Sequence, residues 1–285
     1  MRDFIYHSPE TLEESLHLLE AYGENARPIA GGTAVVTLMK QNLILADHLV
    51  SLDNLSELRA ITEHNEHVTI GALTTHRQLE TNLSVQRNIP LIAEAFNRVA
   101  TIRIRNIATV GGSLAHADPA QDPPPALIVS DAHVTLTSPT GTRQLPVEKL
   151  FLDYYQPNIE PNELLTSLTV PKQPEDTRTV YLKFLPRSQD DYATVSVAAL
   201  GKMKDGQCQD IKLALGCAGP TPIRASKLEN ELKGKSISPK LLELAAESVA
   251  EEIDPIDDSR GSSLYKRDMA IIFTRRALAK VLEIS

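Results

Sequence analysis

Cysteine is nearly missing from this chain: Cys208 and Cys217 are the only two among 285 residues. Two thiols cannot supply the four ligands of an iron-sulfur cluster. They read as free thiols rather than a staple, because Met1, Arg2, Asp3 and Phe4 do not begin a charged-then-apolar secretion signal. The expected location is therefore the cytoplasm, and the sequons at Asn54 and Asn82 are chance matches. No run of about 18 apolar residues occurs, so hydropathy gives no spanning helix. A basic block is also lacking. The net charge is -8 and the lysines and arginines are scattered, which argues against nucleic acid as a partner. Standard nucleotide motifs are absent too: there is no G-x-G-x-x-G, and Gly234-Lys235-Ser236 lacks the upstream glycine of a P-loop because Glu229 stands there.

What is present is enough apolar residue, 42%, to bury a sizeable core across two or three domains. Ser8 as N-cap, Pro9 at the first helical position, Leu12, Leu16 and Leu19 at helical spacing and Gly23 as a stop predict an amphipathic helix. Residues 27–30 read as a strand, Gly31 and Gly32 as a turn, 34–40 as a helix and 48–52 as a strand. From residue 58 the pattern gives strands at 67–70, 133–137 and 164–170 and a short helix capped by Thr75. It also gives a longer helix over 90–100, a glycine turn, and a helix capped at Asp122-Pro123. Residues 171–176 look like a linker. Beyond it come strands at 181–185, 193–200 and 211–215, then helices at 226–232, 239–252 and 262–282. The expected units are 1–57, 58–175 and 176–285, the last an α+β unit.

Four of the 13 glycines fall in two pairs, Gly31-Gly32 and Gly111-Gly112, each between a strand-like and a helical stretch. Glycine lets backbone N–H groups approach an anion closely, and Thr33, Thr109 and Ser113 add hydroxyls suited to phosphate oxygens. Two such loops could clamp one pyrophosphate from both sides; they could equally be two tight turns, and spacing alone does not choose. A third cluster, Lys183-Phe184-Leu185-Pro186-Arg187 with Asp190-Asp191-Tyr192-Ala193-Thr194, is either a charged loop or part of a site. His64, His67, His76 and His116 form no metal-ligand pattern, so no metal site is expected. Arg98, Arg103 and Arg105 read as a solvated face or as a dock for an acidic partner.

Together, Pro28-Ile29-Ala30-Gly31-Gly32-Thr33 and the stretch 108–122, with Asn162-Glu163-Leu164-Leu165, residues 183–194, Asp258-Ser259-Arg260-Gly261 and Tyr265-Lys266, resemble the FAD subunits of the molybdenum hydroxylase and xanthine dehydrogenase family. The carbon monoxide dehydrogenase medium chains are the nearest likeness. The resemblance covers nearly the whole chain. It implies an α+β fold: a two-part α/β FAD-binding module of the PCMH type, then a C-terminal α+β domain with an antiparallel sheet and helices over the flavin. It also implies cofactor contacts. Pro28, Ile29, Ala30, Gly31, Gly32, Thr33, Ala34 and Val35, with Thr109, Gly111, Gly112 and Ser113, would hold the pyrophosphate. Asp118, Asp122, Leu165 and Lys183 would reach the flavin, and Tyr192 would stack on its ring. Ala34 departs from the aspartate or serine common in the family at that place, which removes one side-chain contact near the phosphates.

The same resemblance implies non-covalent FAD in this chain and no catalytic side chain of its own. Its partners would be a small subunit with [2Fe-2S] clusters and a large molybdopterin subunit that oxidises the substrate, with a dimer of heterotrimers as one assembly open to it. The function expected is electron transfer from those clusters to an external acceptor. Two alternatives remain at this stage: a self-sufficient FAD oxidoreductase of the same fold, and an assembly subunit that has lost its flavin.

Overall fold

The computed structural model describes residues 3–185, 187–188 and 190–283; Met1, Arg2 and Pro186, used in the sequence reading, lie outside them. The N-terminal sheet has three parallel strands, Ile5–His7, Ala26–Ile29 and His48–Ser51, with the last in the middle. Parallel neighbours need crossovers, and the helices Leu12–Tyr22 and Val35–Lys40 supply them. The first helix begins at Thr11, not at Ser8-Pro9 as expected. The Thr11 hydroxyl accepts from the Glu14 amide at 3.1 Å, and the Glu14 carboxylate reaches back to the Glu10 amide at 2.8 Å. A threonine three residues before a glutamate satisfies two orphan amides at once, which the earlier serine cannot do. Leu16 and Leu19 then face the core.

The middle sheet is antiparallel throughout, in the order Ile61–Glu63, His67–Gly71, Leu164–Pro171, His133–Ser138, Gly141–Pro146. Its central strand thus comes from the end of the segment. Six helices separate its first two strands from the other three in the chain: His76–Thr81, Leu83–Asn88, Pro90–Asn97, Ile102–Arg105, Val110–His116 and Pro123–Val129. They bury Phe96, Leu114 and Leu127 against Val68, Ile70, Val134, Leu136 and Leu168. The helix expected over 90–100 stops at Asn97, because the chain turns into the left-handed region at Ala100, φ 39°.

The C-terminal sheet, Arg178–Phe184, Val195–Lys204, Gln207–Gly216 and Ile223–Arg224, is antiparallel. Helices Ser226–Leu232, Pro239–Ser248 and Ser263–Val281 cover one face, packing Leu228, Leu242, Ala277 and Leu278 on Val195, Val197, Ala199 and Leu213. The other face, with Tyr181, Ala198 and Ala214, joins the core of the middle unit. All seven residues of Pro123–Val129 are buried between the two sheets. Pro125 comes within 3.0 Å of where a Cβ on Gly216 would lie. Burial on both sides explains why Val195–Lys204 is apolar almost continuously instead of alternating.

Candidate functional site

The first glycine pair follows the strand Ala26–Ile29. A Cβ on Gly31 would lie 2.0 Å from the Ile107 carbonyl oxygen, so only glycine lets this loop rest on the backbone that leads into the second pair. Gly32 has φ +69°. Five consecutive amides, those of Gly31, Gly32, Thr33, Ala34 and Val35, donate to no acceptor among the described residues, whereas the carbonyls of Gly32 and Ala34 accept from Val36 and Leu38. A run of free N–H groups at the surface is an anion cradle. Thr33, Ala34 and Val35 are all partly exposed there.

The second pair is not the turn expected from its composition. Gly111 and Gly112 lie in the first turn of Val110–His116, capped by Thr109, whose hydroxyl accepts from the Gly112 amide at 3.1 Å. Its amides are already used: Val110 donates to Thr74, Gly111 to Ala72 and Ser113 to Thr109. Ser113 Oγ donates to the Val110 carbonyl at 3.0 Å. The expected two-sided clamp of amides is therefore one-sided. The second pair offers instead a wall without side chains, because Gly112 is exposed and a Cβ there would sit 3.9 Å from the Ala30 Cβ. Beneath it His76 is 1% exposed, with Nε2 3.2 Å from the Thr109 carbonyl and its ring edge-on to Phe96; burial pushes its pKa down to about 4.

At the far end of that helix the chain turns through residues 118–122. Asp118 is buried and its carboxylate accepts from the Ala120 amide at 2.9 Å. Burial and the nearby Asp118 charge push the phenols of Tyr155 and Tyr192 above the ordinary tyrosine range. Tyr192 is 54% exposed, so its ring is open to a stacking partner. Asp122 stands at the N-cap position of Pro123–Val129 but makes no capping bond. Its carboxylate instead accepts from the Tyr181 hydroxyl at 2.8 Å and Lys183 Nζ at 2.9 Å, and Lys183 also donates to the Arg98 carbonyl at 2.8 Å. Burial raises the Asp122 carboxyl, opposed by the charge of Lys183. Leu165 is 6% exposed and its side chain belongs to the core. Gln121, which the sequence did not single out, is buried with neither side-chain amide atom bonded among the described residues.

The arginine string divides. Arg105 pairs with the buried Glu80 carboxylate at 2.7 Å and donates to the carbonyls of Val99 and Ala100, while Arg98 and Arg103 are exposed. No three metal-ligating side chains gather among the described residues. Asp258 binds Arg260 and the buried Lys266. Burial pushes the Asp258 carboxyl up, but bonds from Arg260 and Lys266 outweigh it and hold it at about 2. The free thiol of Cys217 is buried and pushed up to about 12. The described residues thus offer a run of free amides, a neighbouring surface bare of side chains and, separately, an exposed aromatic ring.

The family model described as "FAD binding domain in molybdopterin dehydrogenase" matches residues 2–173, and "CO dehydrogenase flavoprotein C-terminal domain" matches residues 180–281. The chain is 34% identical over 275 residues to the carbon monoxide dehydrogenase medium chain of Hydrogenophaga pseudoflava, covering 96% of each. It is 33% identical over 279 residues to the glyceraldehyde dehydrogenase medium chain of Sulfolobus acidocaldarius, covering 98% of each. Among solved structures it is similar to carbon monoxide dehydrogenase of Hydrogenophaga pseudoflava lacking the Mo-pyranopterin moiety of its cofactor. That likeness has a TM-score of 0.96 at 34% identity, over 99% of this chain and 98% of that one.

Proposed function

Since the chain belongs to the family of FAD-binding medium subunits of molybdenum hydroxylase-type dehydrogenases, we propose that it relays electrons from the [2Fe-2S] clusters of a small partner subunit to an external acceptor. A large molybdopterin subunit would oxidise the substrate. Relatives named for carbon monoxide and for glyceraldehyde share this medium-chain plan, which supports leaving substrate choice to the large subunit. No helix among the described residues is long and apolar enough to cross a membrane, and we place the complex in the cytoplasm.

The observation that carries the reading is the run of five amides at residues 31–35 that donate to no acceptor among the described residues, in a loop that reaches the bare surface of Gly112 at Ala30. Those amides hold the pyrophosphate. Pro28, Ile29 and Ala30 bring the loop to the second wall, whose surface is Gly112 and Ser113 and which the buried Thr109 and Gly111 hold in place. Asp118, Asp122, Lys183 and Tyr192 line the flavin end, Tyr192 by stacking, and Leu165 supports it from the core. Because the cradle is built of backbone, Ala34 costs one side-chain contact and leaves the amides intact. The units 1–57 and 58–175 carry the two walls, and 176–285 closes over them with Lys183 and Tyr192. When bound, FAD supplies a store that fills one electron at a time and empties two at once.

The test is anaerobic rapid mixing with the complex's own substrate. The flavin of this chain should bleach when both partner subunits are present and stay oxidised when the chain is alone. Bleaching of the isolated chain by that substrate would overturn the relay and identify a self-sufficient oxidoreductase.

A further inference from the structure

Apart from the cofactor site, the middle unit carries an open groove of about 340 Å³. It lies between the turn Ser56–Arg59, the strand Ile61–Glu63 and the helices His76–Thr81 and Leu83–Asn88. Arg59, Ile61, Gln78, Thr81 and Asn82 line it; each is exposed or half-buried, and none belongs to the cradle or to the flavin end. The volume falls in the range of small-molecule sites.

Capping fixes what this lining offers. The Gln78 side-chain oxygen accepts from the Thr75 amide at 2.9 Å, closing the capping box of His76–Thr81. The Asn82 oxygen accepts from the Val85 amide at 3.1 Å as the cap of the next helix. Each bond settles which amide atom is the oxygen, since a flipped group would set two donors against each other. With both oxygens committed, the two carboxamides keep their NH2 groups free, and Thr81 Oγ1, which donates to the Arg77 carbonyl at 2.8 Å, keeps its lone pairs. Arg59 adds a cation. It donates to the carbonyls of Leu73 at 3.4 Å and Asp53 at 3.1 Å, which leaves most of its five N–H groups without an acceptor among the described residues. The Asp53 carboxylate stands 3.7 Å from Nη2 and is 66% exposed, too distant and too wet to neutralise the guanidinium. Glu80, on the same helix as Gln78, is taken by Arg77 and Arg105.

A concave lining with a guanidinium, two free NH2 groups and no carboxylate among its residues selects an anion. Its donors outnumber the roughly four lone-pair sites of a carboxylate and suit the three acceptor oxygens of a phosphate monoester. We propose that the groove binds a small phosphate monoester that carries a hydroxyl group. Arg59, Gln78 Nε2 and Asn82 Nδ2 hold the phosphate, Thr81 Oγ1 accepts from the hydroxyl, and the carbon chain rests on Ile61. No bond is made or broken there. The site is separate from the pyrophosphate cradle and does not depend on the FAD reading.

The experiment titrates the complex, purified with its cofactors, by calorimetry with glycerol 3-phosphate, inorganic phosphate and glycerol. The variants are Gln78→Glu and Asn82→Asp. Each keeps the oxygen that caps its helix, so circular dichroism and melting temperature should match wild type, while a carboxylate oxygen replaces the free NH2 group. Wild type should show a saturable site for glycerol 3-phosphate that each variant weakens at least about tenfold, through a lost bond and a like charge. Inorganic phosphate should bind more weakly there and glycerol not at all. Absence of a saturable site in wild type, or an affinity for glycerol 3-phosphate unchanged in both folded variants, would overturn the proposal. Binding that survives both variants but is lost in Gly112→Asp would belong to the cradle and overturn it equally.

Discussion

His76 shows how a single side chain can report on the loop above it. It is 1% exposed, keeps its Nε2 proton on the Thr109 carbonyl and leaves Nδ1 without a partner among the described residues. Burial lowers its pKa from the ordinary 6.5 to about 4. Above pH 6.5 the ring is neutral in both folded and unfolded chains; between 6.5 and 4 the unfolded chain takes up a proton that the folded one refuses. Stability is therefore complete above pH 6.5 and falls by roughly 3 kcal/mol as the pH drops toward 4. Denaturant titrations at steps from pH 7.5 to 4.5 should show a steeper loss in wild type than in His76→Gln, which cannot protonate. Parallel profiles would mean that His76 is hydrated and titrates normally. The sequence could not rank this histidine above His64 or His67, because nothing local distinguishes a buried imidazole. Gln121 escaped for the same reason, since its burial is set by residues far away in the chain.

At the scale of elements, the glycine pairs were legible as special positions but not in their geometry. Gly31-Gly32 follows a strand as expected. Gly111-Gly112 enters a helix against its propensity, because the amides of Val110 and Gly111 are claimed by Thr74 and Ala72 from another segment. The first helix start moved from Ser8 to Thr11 for a local reason instead, the bonds that Thr11 and Glu14 make to nearby amides. Two of the C-terminal helices carried over well: those expected at 226–232 and 262–282 occur at Ser226–Leu232 and Ser263–Val281. Short edge strands such as Ile61–Glu63 and Gly141–Pro146, with little burial, left no pattern to read. The two glycines of the facing walls differ in what they tolerate. Gly31→Ala drives a Cβ into the Ile107 backbone and should impair folding. At Gly112 a Cβ meets only the Thr109 hydroxyl, at 2.7 Å, and Ala30. An aspartate there suits a helix N-terminus, so Gly112→Asp should keep its circular dichroism while its carboxylate repels the pyrophosphate. Its flavin occupancy should fall at least about tenfold, the equivalent of 1.4 kcal/mol. Occupancy near wild type would remove this wall from the phosphate site.

Across the whole molecule, the middle and C-terminal sheets share one core through Pro123–Val129. The buried pair of Asp122 and Lys183, each 4% exposed at the side chain, ties them at the site. Pairing and packing on that scale are invisible to local reading; only the apolar content of the paired segments hinted at them. The order in which these parts leave the ribosome follows from the same layout. The N-terminal three-stranded sheet is complete once residue 51 has emerged, whereas the middle sheet waits for its central strand, Leu164–Pro171, to join His67–Gly71. Pro123–Val129 must wait longer, until Gln207–Gly216 covers its second side. Contacts this distant in sequence form slowly and leave apolar surface uncovered meanwhile. Nascent chains stalled with 175 residues outside the exit tunnel should therefore stay sensitive to protease across the six middle helices, and protection should arrive only when residue 216 is out. Protection at the shorter length would mean that the middle unit closes alone. On this layout the helix that fuses two sheets couples most of the polypeptide into one late folding event, with its apolar faces uncovered until residue 216 is out.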